Sequence, residues 1–196
     1  MREGEPEYWD GIAEKMAPKE GAIYDNWLKR RILGQFLLKC EWSGSKVLEI
    51  GVGCGATAAL LGLACGKQWE YTGTDVSAKF ANIASRFALN VIQTDVLNLP
   101  EGEFDRIIAL DSLEHVHPDD RVRGYCEIAK RLSKGGLLFI NMPHDRSLHD
   151  LQFDHGIGLK DIMMLEGEGL MLTKYDHYEI QYQNYRRGYD FVVMTK

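Results

Sequence analysis

The stretch Val47–Thr57 is the feature that most constrains what this chain can fold into. Its first residues favour a β-strand, glycines follow at Gly51, Gly53 and Gly55, and a helix-forming run begins at Ala56. Glycine tolerates sharp turns and lets a ligand approach without a Cβ in the way. A strand, a turn and a helix in this order place a helix N-terminus at the carboxyl end of a sheet strand, where its N–H groups and partial positive charge suit an anion. The stretch therefore predicts a ligand site.

The spacing of these glycines leaves the kind of ligand open. Gly51, Gly53 and Ala56 also fit the dinucleotide-binding fingerprint, and Asp75 lies close to the distance at which an acidic residue would bind a ribose. A glycine-rich turn between a strand and a helix also occurs simply as a tight turn. The turn alone therefore allows a nicotinamide cofactor, another nucleoside cofactor, or a purely structural role.

Length, charge and cysteine content limit the class of protein. The chain has 196 residues, enough for one domain that needs no disulfide or metal, and its net charge of -6 argues against nucleic acid or an anionic membrane as the main partner. None of its 4 cysteines forms a CxxC pair, and its acidic N-terminus does not resemble a signal peptide. No apolar run reaches the length of a membrane span. We therefore expect a cytoplasmic protein with reduced cysteines.

From residue 46 onwards, strand patterns alternate with helix patterns. Such alternation predicts a parallel sheet with helices on both faces, and the last two strands predict an antiparallel pair at one edge. The predicted strands are Lys46–Ile50, Trp69–Thr74, Val91–Thr94, Phe104–Leu110, Leu137–Asn141, Met171–Tyr182 and Tyr189–Thr195. The predicted helices are Ala56–Cys65, Ala78–Ala88, Pro118–Leu132 and Leu159–Glu166, with a turn at Ser133–Gly136.

The first 44 residues are predicted to form a helical cap that precedes a domain of residues 45–196. A short helix is expected from Pro6 to Met16 and a longer one from about Tyr24 to Cys40, because apolar residues recur there at helical spacing. A helix that precedes the first strand often lies across the open edge of a ligand cleft. Tyr24 is for this reason a candidate cofactor contact.

Polar residues collect where the predicted parallel strands end. Asp75, Asp95 and Asp111 follow the second, third and fourth strands, Asn141 ends the fifth, and the glycine-rich turn follows the first. In sheets of this kind a ligand binds outside the carboxyl ends of the strands, at the point where the strand order reverses. We therefore expect the turn and these side chains to serve one ligand.

Five segments of the chain resemble the motifs of class I S-adenosylmethionine-dependent methyltransferases. They are Val47–Gly55, Gly73–Ser77, Thr94–Pro100, Phe104–Ile108 with Leu113–Val116, and Leu132–Leu138. The resemblance covers the chain from about Trp9 to its end. A nicotinamide enzyme would explain the first two segments but gives no reason for the third and fourth. The resemblance therefore implies S-adenosyl-L-methionine as the cofactor and S-adenosyl-L-homocysteine as the product.

The resemblance also implies a fold and a set of cofactor contacts. The fold is an α/β, three-layer, Rossmann-like sheet of seven mostly parallel strands in the order 3-2-1-4-5-7-6, with the last strand antiparallel and an N-terminal helical cap. In the family, the acid after the second strand binds the ribose hydroxyls and the acid after the third binds the adenine amino group. The contacts that carry over are Glu49, Gly51, Gly53, Gly55, Asp75, Val76, Asp95, Val96, Asp111 and Ser112.

Histidine and aspartate residues concentrate after the fifth predicted strand, between residues 144 and 155. A hydroxyl acceptor would need a neutral histidine nearby to take its proton. The loop after this strand borders the cleft in such an architecture, so His144 and His155 are the expected catalytic residues. The same density of residues would permit a divalent metal, but the spacing matches no metal motif, and no metal is expected.

The predicted function is the transfer of a methyl group from S-adenosylmethionine to a small molecule, with an oxygen nucleophile preferred. The sequence offers no basic surface or added domain for nucleic acid, and no membrane partner is expected. Two alternatives stay open at this point. One is a non-catalytic partner subunit that keeps the cofactor pocket, and the other is a nicotinamide-dependent oxidoreductase.

Overall fold

The computed structural model describes residues 5–16, 36–66, 69–87, 90–144, 158–181 and 186–196. Strands and helices alternate through this part of the chain from residue 46, as predicted. The helices are α1 (Pro6–Met16), α2 (Ala56–Cys65), α3 (Ala78–Ser85), α4 (Pro118–Arg131) and α5 (Leu159–Gly167), with short 3-10 helices at Leu37–Lys39, Val96–Asn98 and Leu113–His115. The strands are β1 (Lys46–Ile50), β2 (Glu70–Asp75), β3 (Asn90–Gln93), β4 (Phe104–Leu110), β5 (Leu132–Pro143), β6 (Met171–Gln181) and β7 (Arg186–Thr195).

The strands form a seven-stranded sheet in the order β3-β2-β1-β4-β5-β7-β6. The pairs β1–β2, β2–β3 and β4–β5 are parallel, whereas β7 is antiparallel to both β5 and β6. The predicted fold class, strand order and antiparallel last strand are therefore confirmed. The described residues form two compact units, 5–95 and 96–196.

In the first unit, helix α1 docks on the N-terminus of α3. The Ser77 hydroxyl donates to Asp10 Oδ1, and the Lys79 N–H donates to the same oxygen over 3.1 Å. The bond from Ser77 and then the one from Lys79 lower the pKa of Asp10. Ser77 is also the N-cap of α3, because its Oγ accepts the Phe80 N–H over 3.1 Å. One short polar network thus caps α3 and attaches α1 to it.

A small apolar cluster extends this attachment to the glycine-rich turn. Ala13 of α1 is fully buried and clusters with Cys54, Phe80 and Ile83. Cys54 belongs to the turn between β1 and α2, so α1 packs beside that turn. The predicted bounds of α1 are confirmed, while the division into a cap of residues 1–44 and a domain of residues 45–196 stays a prediction.

The predicted helix from Tyr24 to Cys40 lies mostly outside the described residues. Its described end, Leu37–Lys39, is a 3-10 helix that stops at Cys40, whose backbone is extended. The Trp42 indole donates to the Leu37 carbonyl over 2.8 Å and fixes this end. Within the described ranges, no helix combines the length and the apolar character that crossing a membrane requires.

In the second unit, β5 begins earlier than predicted, because the predicted turn Ser133–Gly136 lies within the strand. Phe104 pairs with Leu132 and Arg106 pairs with Leu137, so residues 133–136 lie opposite residue 105 alone. Gly135 has a φ of 77°, which a residue with a Cβ rarely adopts. These residues therefore form a bulge inside β5 and not a loop before it.

Candidate functional site

The turn between β1 and α2 follows the sharp path that its glycines allow. Gly51, Gly53 and Gly55 have φ values of 71°, 53° and 79°, in the left-handed region where a Cβ is strained. The N–H groups of Gly51 and Val52 donate to the Thr74 carbonyl over 2.8 and 2.9 Å. A Cβ added to Gly53 would meet no described atom within 4 Å. The turn is thus anchored to β2, and the space beside Gly53 can take a ligand.

Asp75, the last residue of β2, is tied to the same turn. Its Oδ2 accepts the Gly53 N–H over 2.9 Å, and its Oδ1 accepts the Ser77 N–H over 2.9 Å. Asp75 is 7% exposed. Asp75 therefore shapes the glycine-rich turn through its side chain, and its predicted role as the ribose-binding acid stays a prediction.

Glu49 is fully buried on β1, where Tyr71 of β2 reaches it. The Tyr71 hydroxyl donates to Glu49 Oε2 over 2.7 Å. Burial and then the Glu49 charge raise the pKa of Tyr71 well above its usual value. Gly73 lies opposite Glu49 in the register, and a Cβ there would lie 3.0 Å from the Tyr71 hydroxyl. Gly73 thus leaves room for a contact that the sequence analysis missed.

The end of β3 is fastened to the end of β2. The Thr94 N–H donates to the Asp75 carbonyl over 3.0 Å, and Gln93 Nε2 donates to the Val76 carbonyl over 3.3 Å. Asp75, Val76 and Asp95 therefore lie at adjacent strand ends of the first unit, as predicted for residues that bind one nucleoside.

In the second unit, Val96 begins the short helix Val96–Asn98 and is buried. A Cβ on Gly124 of α4 would lie 3.0 Å from Val96 Cγ1, so this glycine accommodates the valine. The Val96 side chain thus fixes the start of the second unit against α4.

Asp111, directly after β4, has a φ of 51° and is the sole non-glycine residue with a positive φ in the described part of the chain. Its N–H donates to the Asn141 carbonyl over 2.8 Å, and Asn141 Nδ2 donates to Asp111 Oδ1 over 3.2 Å. The Tyr178 hydroxyl donates to Asn141 Oδ1 over 2.6 Å. A strained backbone held by several bonds is typical of binding sites.

Two buried hydroxyls lack a hydrogen-bond partner among the described residues. They are Ser112 Oγ, next to Asp111, and Thr57 Oγ1 in the first turn of α2. A buried hydroxyl without a partner costs free energy, so a polar ligand atom would stabilise either one. Ser112 was predicted as a cofactor contact, whereas Thr57 was not singled out.

A buried arginine fixes the loop that follows Ser112. Arg121 of α4 donates to the carbonyls of Glu114 over 3.1 Å and of Val116 over 3.2 Å. Its Nη1 lies 3.5 Å from Asp161 Oδ1 in α5, and the Tyr125 hydroxyl donates to that oxygen over 2.8 Å. Burial raises the pKa of Tyr125. The loop after β4 is therefore held by two helices of its own unit.

His144 lies beside a histidine that the sequence analysis did not single out. His144 Nδ1 lies 2.7 Å from Asp190 Oδ2, and His177 Nδ1 lies 2.8 Å from Asp190 Oδ1. The Tyr175 hydroxyl donates to the latter oxygen over 2.8 Å. The Asp190 side chain is 4% exposed, against 45% for His144 and 40% for His177. A buried carboxylate thus serves two accessible histidines, and these four residues are here called the Asp190 cluster.

The strand register explains this grouping. His177 pairs with Asp190 across β6 and β7, and Met142 pairs with Asp190 across β5 and β7, so His144, two residues after Met142, is on the same face. His144 and Asp190 are 46 residues apart in the chain. No spacing motif marks such a contact, although the predicted hairpin would have suggested His177 with Asp190 if its register had been known.

Two predicted site residues, Tyr24 and His155, lie outside the described residues. Their roles stay predictions, as do the roles of the other expected cofactor contacts.

Comparisons with known proteins address the fold and the domain. A family profile described as a methyltransferase domain matches residues 47–136. The N-methyltransferase NodS from Bradyrhizobium japonicum, solved with S-adenosyl-L-homocysteine, has a TM-score of 0.74 at 18% identity, over 96% of this chain and 98% of NodS. Magnesium protoporphyrin IX methyltransferase (ChlM) from Synechocystis, solved with the same molecule, has a TM-score of 0.75 at 15% identity, over 97% of each chain. The (4+2)-cyclase SpnF has a TM-score of 0.69 at 17% identity, over 92% of this chain and 84% of SpnF. No curated protein matches the chain.

The matched profile runs from β1 through the bulge of β5, and so includes the glycine-rich turn, Asp75, Asp95 and Asp111. The two methyltransferase structures contain the demethylated product of the cofactor that the sequence predicted. The chain therefore has the fold of the class I S-adenosylmethionine-dependent methyltransferases, its residues 47–136 match the profile of a methyltransferase domain, and the resemblance seen in its sequence is confirmed.

Proposed function

We propose that the protein is an S-adenosylmethionine-dependent enzyme that transfers a methyl group to an oxygen nucleophile of a small molecule. The methyltransferase domain and the similar structures support the cofactor. The pairing of His144 with Asp190, whose Nδ1 and Oδ2 lie 2.7 Å apart, is the observation that carries the choice of oxygen.

The strand ends suit the cofactor's chemistry. Asp75 would bind the ribose hydroxyls by charge-assisted bonds, and the open space beside Gly53 would admit the cofactor's tail. When bound, S-adenosylmethionine supplies a methyl group on a cationic sulfur that leaves as a neutral thioether. The proposed contacts are Tyr24, Glu49, Gly51, Gly53, Gly55, Asp75, Val76, Asp95, Val96, Asp111 and Ser112.

His144 would remove the proton from the acceptor hydroxyl. As a carboxylate, Asp190 accepts from His144 Nδ1, which leaves the lone pair on Nε2 of the neutral ring. Asp190 would also stabilise the imidazolium that forms once Nε2 has taken the proton. Such a base contributes about 10²–10⁴ in rate. His155 is the second proposed base of the same segment.

The acceptor is proposed from this chain's own residues. The similar structures include an N-methyltransferase and a porphyrin methyltransferase, and these names do not favour oxygen. An amine that is already neutral needs no base, whereas a hydroxyl must lose its proton. A histidine oriented by a buried carboxylate is therefore better matched to a hydroxyl. The net charge of -6 also disfavours a nucleic-acid acceptor.

The test has two stages. Isothermal titration with S-adenosylmethionine and S-adenosylhomocysteine measures cofactor binding, and release of S-adenosylhomocysteine is then followed against hydroxylated and amine metabolites. We expect turnover with a hydroxylated acceptor, and a rate about 10²-fold lower or more for His144→Gln with unchanged cofactor affinity. His117→Gln, at the exposed N-cap of α4, is the matched control. Turnover on amines alone, or an unchanged rate for His144→Gln, would refute the oxygen proposal.

The second candidate function is a non-catalytic partner subunit that binds the cofactor. The cyclase SpnF has the same fold, so the fold alone does not establish methyl transfer. Cofactor binding without S-adenosylhomocysteine release on any acceptor would favour this candidate. The methyltransferase domain disfavours a nicotinamide enzyme, and NADH serves as the negative control in the titration. We also propose a cytoplasmic location, because the sequence contains no CxxC pair.

A further inference from the structure

A carboxylate that serves two histidines fixes where both carry their proton. Asp190, as a carboxylate, has only acceptors, so His144 and His177 each donate to it from Nδ1. A neutral imidazole carries one ring proton, so Nε2 of each neutral ring is unprotonated. Each ring therefore presents a hydrogen-bond acceptor on the side that faces away from Asp190.

Tyr175 supports this arrangement from the strand that also carries His177. Its hydroxyl donates to Asp190 Oδ1, so this oxygen accepts from Tyr175 and His177 while Oδ2 accepts from His144. Burial and the bond to Asp190 raise the pKa of Tyr175 to about 12. The phenol thus stays a donor at neutral pH and helps to hold the carboxylate in one orientation.

Gly188 gives the two rings room to lie side by side. A Cβ on Gly188 would lie 2.9 Å from His177 Cε1 and 3.3 Å from His144 Cβ. The His144 N–H also donates to the Gly188 carbonyl over 2.9 Å, which fixes the start of its side chain. The ring centroids are 4.5 Å apart, and both side chains are about half-exposed. The two Nε2 atoms therefore belong to adjacent rings on half-exposed side chains.

A metal ion is the competing use of these residues, because one ligand atom of each of His144, His177 and Asp190 lies within 4.8 Å of the others. Two ligands of one zinc ion, each about 2.1 Å from it, lie about 3.0 Å apart at a right angle and about 3.4 Å apart at a tetrahedral angle. The two Nδ1–oxygen distances of 2.7 and 2.8 Å are instead hydrogen-bond lengths. The distances therefore favour a cluster joined by hydrogen bonds and not by a metal ion.

We propose that His144 and His177 bind the methyl acceptor through two adjacent hydroxyl groups, and that Asp190 is the positioning residue that keeps both Nε2 atoms unprotonated, and so able to accept hydrogen bonds. The two Nε2 atoms are neighbouring acceptors, and two adjacent hydroxyls are neighbouring donors that match them. A single hydroxyl would leave one Nε2 without a hydrogen bond, and a carboxylate would be repelled by the lone pairs of both nitrogens. One hydroxyl lies on His144 Nε2 and is methylated, and its neighbour is held by His177. This inference rests on the proposed function in one respect, because it takes the molecule bound by the two histidines to be the methyl acceptor.

The first experiment measures the tautomers in the protein alone. Long-range proton–nitrogen correlation spectra of the histidine rings at neutral pH are expected to show His144 and His177 protonated at Nδ1 and unprotonated at Nε2. Asp190→Asn provides one acceptor oxygen instead of two, so at least one ring is expected to lose this pattern. Asp176→Asn, on the same hairpin and paired with Lys174 at 41% exposure, is the matched control and should leave both rings unchanged.

The second experiment tests the substrate class with catechol and phenol, which differ by one hydroxyl. Ring signals of both histidines are followed during titration of the protein saturated with S-adenosylhomocysteine. We expect catechol to bind about fivefold more tightly than phenol or better, the effect of one further hydrogen bond. His177→Phe removes one acceptor while keeping a ring, and should abolish this preference. Tyr175→Phe, a milder change, should reduce it.

Three results would overturn the proposal. They are a wild-type ring protonated at Nε2, equal affinity for catechol and phenol, and shifts of both rings that are complete at one equivalent of zinc chloride, which would make the cluster a metal site. The tautomers are measured without cofactor and without turnover. A wrong proposal about the Asp190 cluster can therefore be distinguished from a wrong proposal about methyl transfer. If Asp190→Asn does not fold, His177→Phe and Tyr175→Phe still decide the question.

Discussion

Asp75→Asn is expected to weaken both the fold and cofactor binding, although the sequence alone would predict an effect on binding only. The carboxylate of Asp75 accepts the N–H groups of Gly53 and Ser77, each over 2.9 Å, and the residue is 7% exposed. An asparagine has one acceptor oxygen, so its amide group would face one of these N–H donors. One buried donor would then lose its bond, at a cost of about 1–3 kcal/mol, and the other would bind a neutral acceptor.

The lost bond and the weaker, neutral bond together predict a loss of about 2–4 kcal/mol in the free energy of unfolding. For a chain of this length, 1 kcal/mol corresponds to about 2–4 °C in melting temperature, so the melting temperature should fall by about 4–16 °C. The loss of a charge-assisted bond to the ribose should also raise the Kd for S-adenosylhomocysteine by about 10–100-fold, or about 1.5–3 kcal/mol. Circular dichroism melts without ligand and isothermal titration below the melting temperature measure the two effects separately.

Glu70→Gln is the matched control on the same strand. Glu70 is 73% exposed and lies 3.8 Å from Lys46, so its replacement should change stability by less than about 0.5 kcal/mol. An unchanged melting temperature for Asp75→Asn would show that the two bonds do not anchor the turn. A lower melting temperature with unchanged affinity would show that the ribose does not bind at Asp75.

The other predictions concern buried polar contacts in each unit. Tyr71→Phe removes the donor to Glu49 Oε2 and should cost about 1–3 kcal/mol in urea unfolding at pH 7. Because folding raises the pKa of Tyr71, the wild type should keep this contribution below about pH 10 and lose it progressively as the pH rises further, whereas the variant should lack this added loss. Arg121→Met removes the donors to two loop carbonyls and the contact with Asp161, and should cost about 2–4 kcal/mol by the same assay. Arg123→Met is the matched control, two residues further along the same helix. Its side chain is 70% exposed, so the change should lower the free energy of unfolding by less than about 0.5 kcal/mol. Equal losses of stability for the two arginine variants would contradict the structure.

The elements were predictable because their signals are local. Each signal lies within a few residues of the helix or strand that it marks. Examples are the glycines after β1, the apolar run of β4 and the serine that caps α3, and β4 has the predicted bounds. The element that failed to follow its local signal is the start of β5. Its residues 133–136 read as a turn, but the parallel pairing with β4 continues on both sides of them and makes them a bulge.

The side-chain contacts of the candidate site were less predictable, because most depend on strand register. Tyr71 reaches Glu49 across 22 residues, and Tyr178 reaches Asn141 across 37. The rule that ligands bind at the carboxyl ends of parallel strands identified Asp75, Asp111 and Asn141 as candidates, but it did not predict their hydrogen-bond partners. The partners of Tyr175 and Tyr178 in the hairpin cannot be inferred from sequence spacing, since strand pairing decides which residues lie opposite them.

A single bulge in β6 decides the composition of the Asp190 cluster. Leu172 pairs with Met194, but Lys174 pairs with Val193, so one extra residue enters β6 at position 173. Without it, Asp176 and not His177 would lie opposite Asp190, and two like charges would face each other across the strands. With it, His177 takes that position beside His144. The local irregularity that makes the cluster hard to foresee from the sequence is therefore the feature that brings a second histidine to Asp190.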